Sequence, residues 1–142
     1  MRIAEILRKK GAAVVTVAPE TTVATLITDL ARHNIGAMVV ERSGEIAGIV
    51  SERDVVRRLA ERGPEVLSAP VAQIMTAVVV ICTPHDTVDT LTVLMTERRV
   101  RHVPVIADGG LAGIVSIGDV LKNHIKQLEE HREQLEAYIS QG

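Results

Sequence analysis

Gly48-Ile49-Val50-Ser51-Glu52-Arg53-Asp54-Val55 returns 65 residues later as Gly113-Ile114-Val115-Ser116-Ile117-Gly118-Asp119-Val120. The same offset carries Pro19 to Pro84, Thr22 to Thr87 and Leu26 to Leu91, so the register holds without a gap through the body of the chain. A unit written twice predicts one pseudo-twofold module whose equivalent sites face each other between the copies. A hydroxyl (Ser51, Ser116) and a carboxylate (Asp54, Asp119) recur together in both copies, which makes a duplicated ligand site the leading idea.

Working outward, each unit opens with a short helical piece, Ile3, Ile6 and Leu7 or Val71, Ile74 and Met75. Here the offset is 68, so the first copy carries three extra residues around Lys9-Lys10-Gly11. A β-branched run follows, Val14–Val17 or Val78–Ile81, and suits a buried strand closed by Pro19 or Pro84. Val23, Leu26, Ile27 and Leu30, like Val88, Leu91, Leu94 and Met95, recur at helical spacing. Thr21 or Thr22 is the candidate cap of the first of these helices, Asp86 or Thr87 of the second. Two strands come next, 37–41 and 45–50, with counterparts 103–106 and 111–115, turning at Ser43-Gly44 and Asp108-Gly109-Gly110. A further helix begins at Ser51 or Ser116. The expected architecture is therefore α+β, two β-α-β-β-α units with pseudo-twofold symmetry plus a C-terminal helix. The boundaries expected are 1–62 and 71–123 for the units, 63–70 for the linker and 124–142 for the terminal helix.

The tail repeats nothing. Leu121, Ile125, Leu128, Leu135 and Ile139 form a short coiled-coil-like stripe interrupted by Arg132, too brief to be stable alone. It reads either as a helix packed on its own domain or as a dimerisation helix.

Composition narrows the function. With 142 residues and 46% apolar content the chain can build a core, but Tyr138 is its single aromatic residue and its formal charge is −2. Stacking platforms for bases are absent, and a general binder of nucleic acid or anionic membrane is not expected. No apolar run approaches a bilayer span and no secretory leader is visible at residues 1–5, so a cytoplasmic protein is the simplest expectation.

The order of elements, each set ending in Gly-Ile-Val-Ser-x-x-Asp, resembles a tandem pair of cystathionine β-synthase (CBS) domains, a Bateman module. Gln73-Ile74-Met75-Thr76 and Arg101-His102-Val103-Pro104-Val105 strengthen the resemblance, which covers nearly the whole chain. It implies a stand-alone regulatory module that binds adenosine-containing ligands (AMP, ATP, NAD or S-adenosylmethionine) in the cleft between repeats. Asp54 and Asp119 are the candidate acceptors for ribose hydroxyls, since a carboxylate accepts from two neighbouring hydroxyls in charge-assisted bonds. Ser51 and Ser116 serve ligand or backbone, and both motifs open helices whose N–H groups favour a nearby anion. Taken alone, Ser-x-x-Asp reads first as a capping box; the duplication and the resemblance reverse that preference in favour of a ligand role, and the serines are compatible with both.

Arg53 adds a positive charge that Gly118 lacks in the second copy. In Arg98-Arg99-Val100-Arg101-His102 the resemblance sends Arg101 and His102 into the cleft and leaves Arg98 and Arg99 at the surface. Gly36 and Ala37 stand at the matching places in the first copy, so the two sites differ in charge. By the family pattern the adenine walls are Ala12, Ile35 and Ala37 for one site, and Thr76, Ala77, Val100 and Pro104 for the other.

No glycine-rich phosphate loop is present, and the five histidines have no metal-ligand spacing. Cys82 and His85 are close in sequence, but Cys82 reads as a small buried residue at a strand end. The expectation is a non-enzymatic regulatory protein, a homodimer, with an unidentified effector protein sensing ligand-driven movement. The alternative is a ligand-independent dimeric scaffold.

Overall fold

The computed structural model describes residues 1–11, 14–77 and 80–141. The first unit comprises α1 (Ile3–Lys10), β1 (Thr16–Val17), α2 (Val23–His33), β2 (Ala37–Arg42), β3 (Glu45–Ser51) and α3 (Glu52–Arg62). Two 3-10 turns, Gly63–Ser68 and Val71–Gln73, lead into α4 (Val88–Arg98), β4 (His102–Ala107), β5 (Gly110–Ser116) and α5 (Ile117–Gln141). The expected α+β pair of repeats is the fold observed.

β1 runs parallel to β2, and β2 antiparallel to β3. β4 and β5 form the matching hairpin, with the same register shift at Val105/Ile106 as at Val40/Glu41. Both hairpins turn through two residues of positive φ, Ser43 (52°) with Gly44 (81°) and Asp108 (52°) with Gly109 (78°), the twist that suits antiparallel strands. Gly110 belongs to β5 rather than to the turn. The expected strand at 78–81 does not form at Val80 and Ile81, and a single bridging residue, Cys82, stands in its place. Cys82 N–H donates to Pro104 O at 3.0 Å, and Ile106 N–H donates to Cys82 O at 2.8 Å, where Val17 pairs with Val40 in the first copy. Val78 and Val79 lie outside the described residues.

Of the candidate caps, the structure uses Thr22 and Thr87. Their hydroxyls accept from Thr25 N–H and Thr90 N–H, each at 3.2 Å. α2 and α4 end at Asn34 (φ 52°) and Arg99 (φ 54°) in the left-handed conformation, which redirects the chain into the next strand.

Two cores result, and each takes its opening segment from the other repeat. Ile3 and Ile6 of α1 are buried with Val88, Leu91, Val103 and Val115 of the second unit. Val71 and Ile74 are buried with Val23, Leu26, Val40 and Val50 of the first. Burial of an isoleucine side chain stabilises by about 1.5–3 kcal/mol, so this exchange binds the halves into one body. Matching backbone bonds reinforce it: Val23 N–H donates to Ala69 O and Val88 N–H to Met1 O, both at 2.9 Å. Ile3 N–H likewise donates to Asp86 O at 2.9 Å, and Val71 N–H to Thr21 O at 2.7 Å.

The glycines of the repeated motif admit this exchange. A methyl group on Gly48 would lie 2.8 Å from Thr76 O and 2.9 Å from Met75 Sδ, while one on Gly113 would lie 2.6 Å from Leu7 Cδ2. At Gly48 only a residue without a side chain lets the incoming backbone lie directly on the strand.

α5 is continuous through the expected boundary at 123/124. From Ile125 to Gln141 every residue is exposed, Leu128 at 70%, so the terminal stripe does not pack on its own domain. No helix among the described residues is long and apolar enough to cross a membrane.

Candidate functional site

Two clefts open between the repeats, and each combines residues from both. The second has a volume of about 340 Å³ and sets Ser51, Arg53 and Asp54 of the first repeat against Thr76, Val100 and Arg101 of the second. The first, about 360 Å³, sets Ile35, Gly36 and Ala37 against Ile114 and Ser116. Gly36, Ala37 and His102 line both, so the clefts meet at the centre of the module.

The placement follows from local hydrogen bonding. Gly36 O accepts from Glu52 N–H at 3.0 Å, and Arg101 O from Ile117 N–H at 2.8 Å. Each bond ties the strand entry to the first turn of the helix that ends the same repeat.

Both Ser-x-x-Asp motifs are capping boxes. Asp54 Oδ2 accepts from Ser51 N–H at 2.8 Å and Ser51 Oγ–H at 3.0 Å, and Ser51 Oγ accepts from Asp54 N–H at 3.3 Å. Asp119 and Ser116 repeat this at 2.8, 2.9 and 3.2 Å. Two of the first three N–H groups of α3 and of α5 are therefore committed internally, which weakens the expected anion site at these helix ends. Capping uses one carboxylate oxygen only. Asp54 Oδ1 has no hydrogen-bond partner among the described residues, and Asp54 lines the second cleft.

At Asp119 the chemistry differs. Lys10 Nζ donates to Asp119 Oδ2 and to Ile114 O, both at 2.8 Å. In the other half, Ile49 O accepts instead from the backbone N–H of Thr76 at 2.8 Å. The lysine thus stands where a backbone bridge stands in the second cleft, a consequence of the extra residues around Lys9-Lys10-Gly11. Burial pushes the Asp119 carboxyl up, but Lys10 and Ser116 outweigh it and hold it below its ordinary 3.8. Ser116 lines the first cleft, whereas Asp119 lines a separate cavity behind Lys10.

Charge separates the two clefts. Arg53, Arg57, Arg99 and Arg101 line the second, with Glu52 and Asp54 as its acids. Arg99, expected at the surface alone, is one of these, because its left-handed backbone turns the chain at the cleft edge. Arg57 escaped the sequence reading; its place one turn beyond Arg53 on α3 was the available signal. His102 is half-buried, and burial first, then the Lys10 charge, hold its imidazole below the ordinary 6.5. Arg101 adds to that effect, while Asp119 and Glu52 oppose it.

Of the remaining expected walls, Pro104 is buried within β4 and lines neither cleft. Ala77 is exposed and also lines neither, and Ala12 lies outside the described residues. Val14 and Val15 line the first cleft instead. Cys82 is buried, and burial, then Asp86, push its thiol up to about 12, which suits a packing residue rather than a nucleophile.

Comparison with known proteins agrees with this fold. The CBS domain model matches residues 3–61 and again 71–126. A mitochondrial CBS domain-containing protein of Arabidopsis thaliana is 36% identical over 149 residues, covering 99% of this chain and 72% of its own length. A CBS-domain protein of Agrobacterium tumefaciens has a crystal structure that superposes with TM-score 0.84 at 42% identity, covering 87% of this chain and 99% of that one. A CBS domain protein of Pyrobaculum aerophilum, solved in complex with AMP, gives TM-score 0.74 at 28% identity over 84% of this chain and 89% of that one. With the model matched twice and the paired clefts built across the repeats, the chain belongs to the CBS domain family as a tandem pair.

Proposed function

We propose that this protein is a regulatory module that binds an adenosine nucleotide, AMP in the first instance, in the second cleft. The observation that carries the reading is the pairing of Asp54 Oδ1, which has no partner among the described residues, with four arginines around the same cleft. The carboxylate accepts from ribose hydroxyls and the guanidinium groups take the phosphate. Thr76 and Val100 wall the base, for which no aromatic surface is present. The AMP bound by the Pyrobaculum relative supports this choice of ligand class. ATP, NAD and S-adenosylmethionine share the adenosine end and remain in the same class, with the arginines favouring phosphorylated members.

Binding across the repeats shifts their relative placement, and a partner or neighbouring subunit senses the shift. Its size is bounded by the difference in ligand affinity between the two arrangements. The exposed stripe Leu121, Ile125, Leu128 and Leu135 on α5 suits a homodimer contact. The same stripe supports the second reading, a scaffold that docks without ligand. A soluble compartment, the cytoplasm being simplest, suits both.

Calorimetric titration of AMP into the wild type, Asp54→Asn and Arg101→Ala decides between them. Saturable binding weakened about tenfold by either substitution supports the sensor. No binding of AMP, ATP, NAD or S-adenosylmethionine at two temperatures overturns it in favour of the scaffold.

A further inference from the structure

Past Asn123, α5 leaves the body, and the apolar face it carries outward is ordered. Val120 and Asn123 turn inward and are buried, while Leu121 and Ile125, on another side of the helix, are 54% and 55% exposed. Leu121, Leu128 and Leu135 recur every seven residues, and Ile125, Arg132 and Ile139 each follow four residues later. Leucine therefore holds every d position of a heptad and isoleucine two of its three a positions, the pattern that favours two parallel strands. From Leu121 to Ile139 the seam is about 27 Å long, and a free helix of that length is marginal in water. Here the seam continues a helix already nucleated on the body through Val120 and Asn123, so pairing does not have to fold it.

Charge selects what covers the seam. With two copies parallel and in register, His131 at g meets Glu136 of the partner subunit at e, a donor against an acceptor. An antiparallel pair keeping all six layers sets Glu129 against its own copy and His131 against its own copy instead. Arg132 reaches out along the seam to Glu136 of the same helix at 3.6 Å, and one charged a position penalises slipped registers. His124 is already held at 3.3 Å by Thr92 Oγ1 of its own chain. Glu129, Glu130, Glu133 and Glu136 lie along the second half of the helix, which disfavours an anionic membrane surface.

We propose that a second copy of this chain covers the seam, parallel and in register, as a two-stranded coiled coil from Leu121 to Ile139. The proposal rests on the homodimer reading of α5 and gives that contact its direction and register. Both bodies then lie at the same end of the coil. Because α5 opens at Ser116, which lines the first cleft, one helix joins that cleft to the partner.

The test combines sedimentation of the full chain with disulfide trapping in a glutathione buffer. The wild type is expected to sediment as a dimer and Leu128→Glu/Leu135→Glu as a monomer. Both leucines are exposed in the single chain, and an unchanged amide spectrum for the body shows that the variant folds. Ile139→Cys is expected to trap the dimer at least tenfold faster than Ala137→Cys, which lies on the opposite face of α5; Cys82 is buried and serves neither. Trapping by Leu121→Cys/Ile139→Cys with none by Ile139→Cys alone identifies an antiparallel pair, which overturns the proposal and leaves the homodimer standing. A dimer that survives the double glutamate variant overturns it too, by placing the contact on another face. A monomeric wild type removes the coil and the homodimer reading together.

Discussion

Lys10 and Asp119 join α1 of the first repeat to the capping box of α5 in the second, Nζ to Oδ2 at 2.8 Å. The same ammonium also reaches Ile114 O, and under the proposed ligand reading it crowds the approach of a ribose to Asp119, whose Oδ1 has no hydrogen-bond partner among the described residues. Its loss is therefore expected to act on ligand stoichiometry as well as on stability. Lys10→Met should raise AMP binding from one site per chain to two, read by calorimetry. A stoichiometry that stays at one would show that Asp119 is closed by something other than this lysine.

The same pair sets a pH dependence. The Asp119 carboxyl is held below 3.8 in the folded chain, so its contribution is full above 3.8 and is lost as pH falls through the folded value. A partly exposed ion pair of this kind contributes about 0.5–1 kcal/mol. Denaturant melts of wild type and Lys10→Met should differ by that amount at pH 7 and converge in strong acid.

Asp54 performs two tasks with two oxygens, and substitutions separate them. Asp54→Ala removes the reach-back half of the capping box, the acceptor for Ser51 N–H, and should lower stability by about 0.5–1.5 kcal/mol as well as abolishing AMP binding. Asp54→Asn keeps an acceptor for Ser51 N–H, so its melt should lie close to wild type while AMP affinity falls. Equal destabilisation by both variants would count against this division.

Gly48 and Gly113 occupy the same place in the repeat but face obstacles of different kinds. At Gly48 a methyl meets the Thr76 carbonyl, part of a backbone bridge; at Gly113 it meets the end of the Leu7 side chain. Gly48→Ala should therefore lose about 2–3 kcal/mol and Gly113→Ala about 1 kcal/mol in chemical unfolding. The reverse order would mean that Leu7 has no room to turn.

His102 is held below 6.5 in the fold, so above 6.5 it is neutral in both states and adds nothing to the pH slope. As pH falls below 6.5 the unfolded chain takes up its proton first, and stability drops until the folded value is reached. His102→Gln should flatten the melting temperature profile across that window, measured by scanning calorimetry. An unaltered profile would assign the slope to other groups.

The local elements were legible because their signals lie within a few residues. Thr22 and Thr87 sit three residues before the amides that they cap, and Ser51 and Asp54 close their box over the same span. The stripe on α5 was also legible, but not its fate. A 3.5-residue pattern is the same whether a helix packs on its own domain or stands exposed, and only the position of α5 beyond Asn123 distinguishes them. The wall residues depended on tertiary packing: alternation puts Pro104 on the face of His102, yet Val103, Pro104 and Val105 are all buried, and Cys82 N–H bonds to Pro104 O.

By itself, the sequence determined the duplication, the order of elements, the caps and the motif that places a hydroxyl beside a carboxylate in each repeat. Those properties follow from hydrogen bonding and periodicity over short spans of chain. Only the tertiary structure decided that the opening segments exchange cores, that Lys10 occupies Asp119, and that the arginines collect at one cleft. Lys10 and Asp119 are 109 residues apart, and their meeting depends on how α1 lies across β5. A flexible side chain leaves no periodic trace of the partner it reaches, whereas packing two repeats against each other fixes which charge faces which.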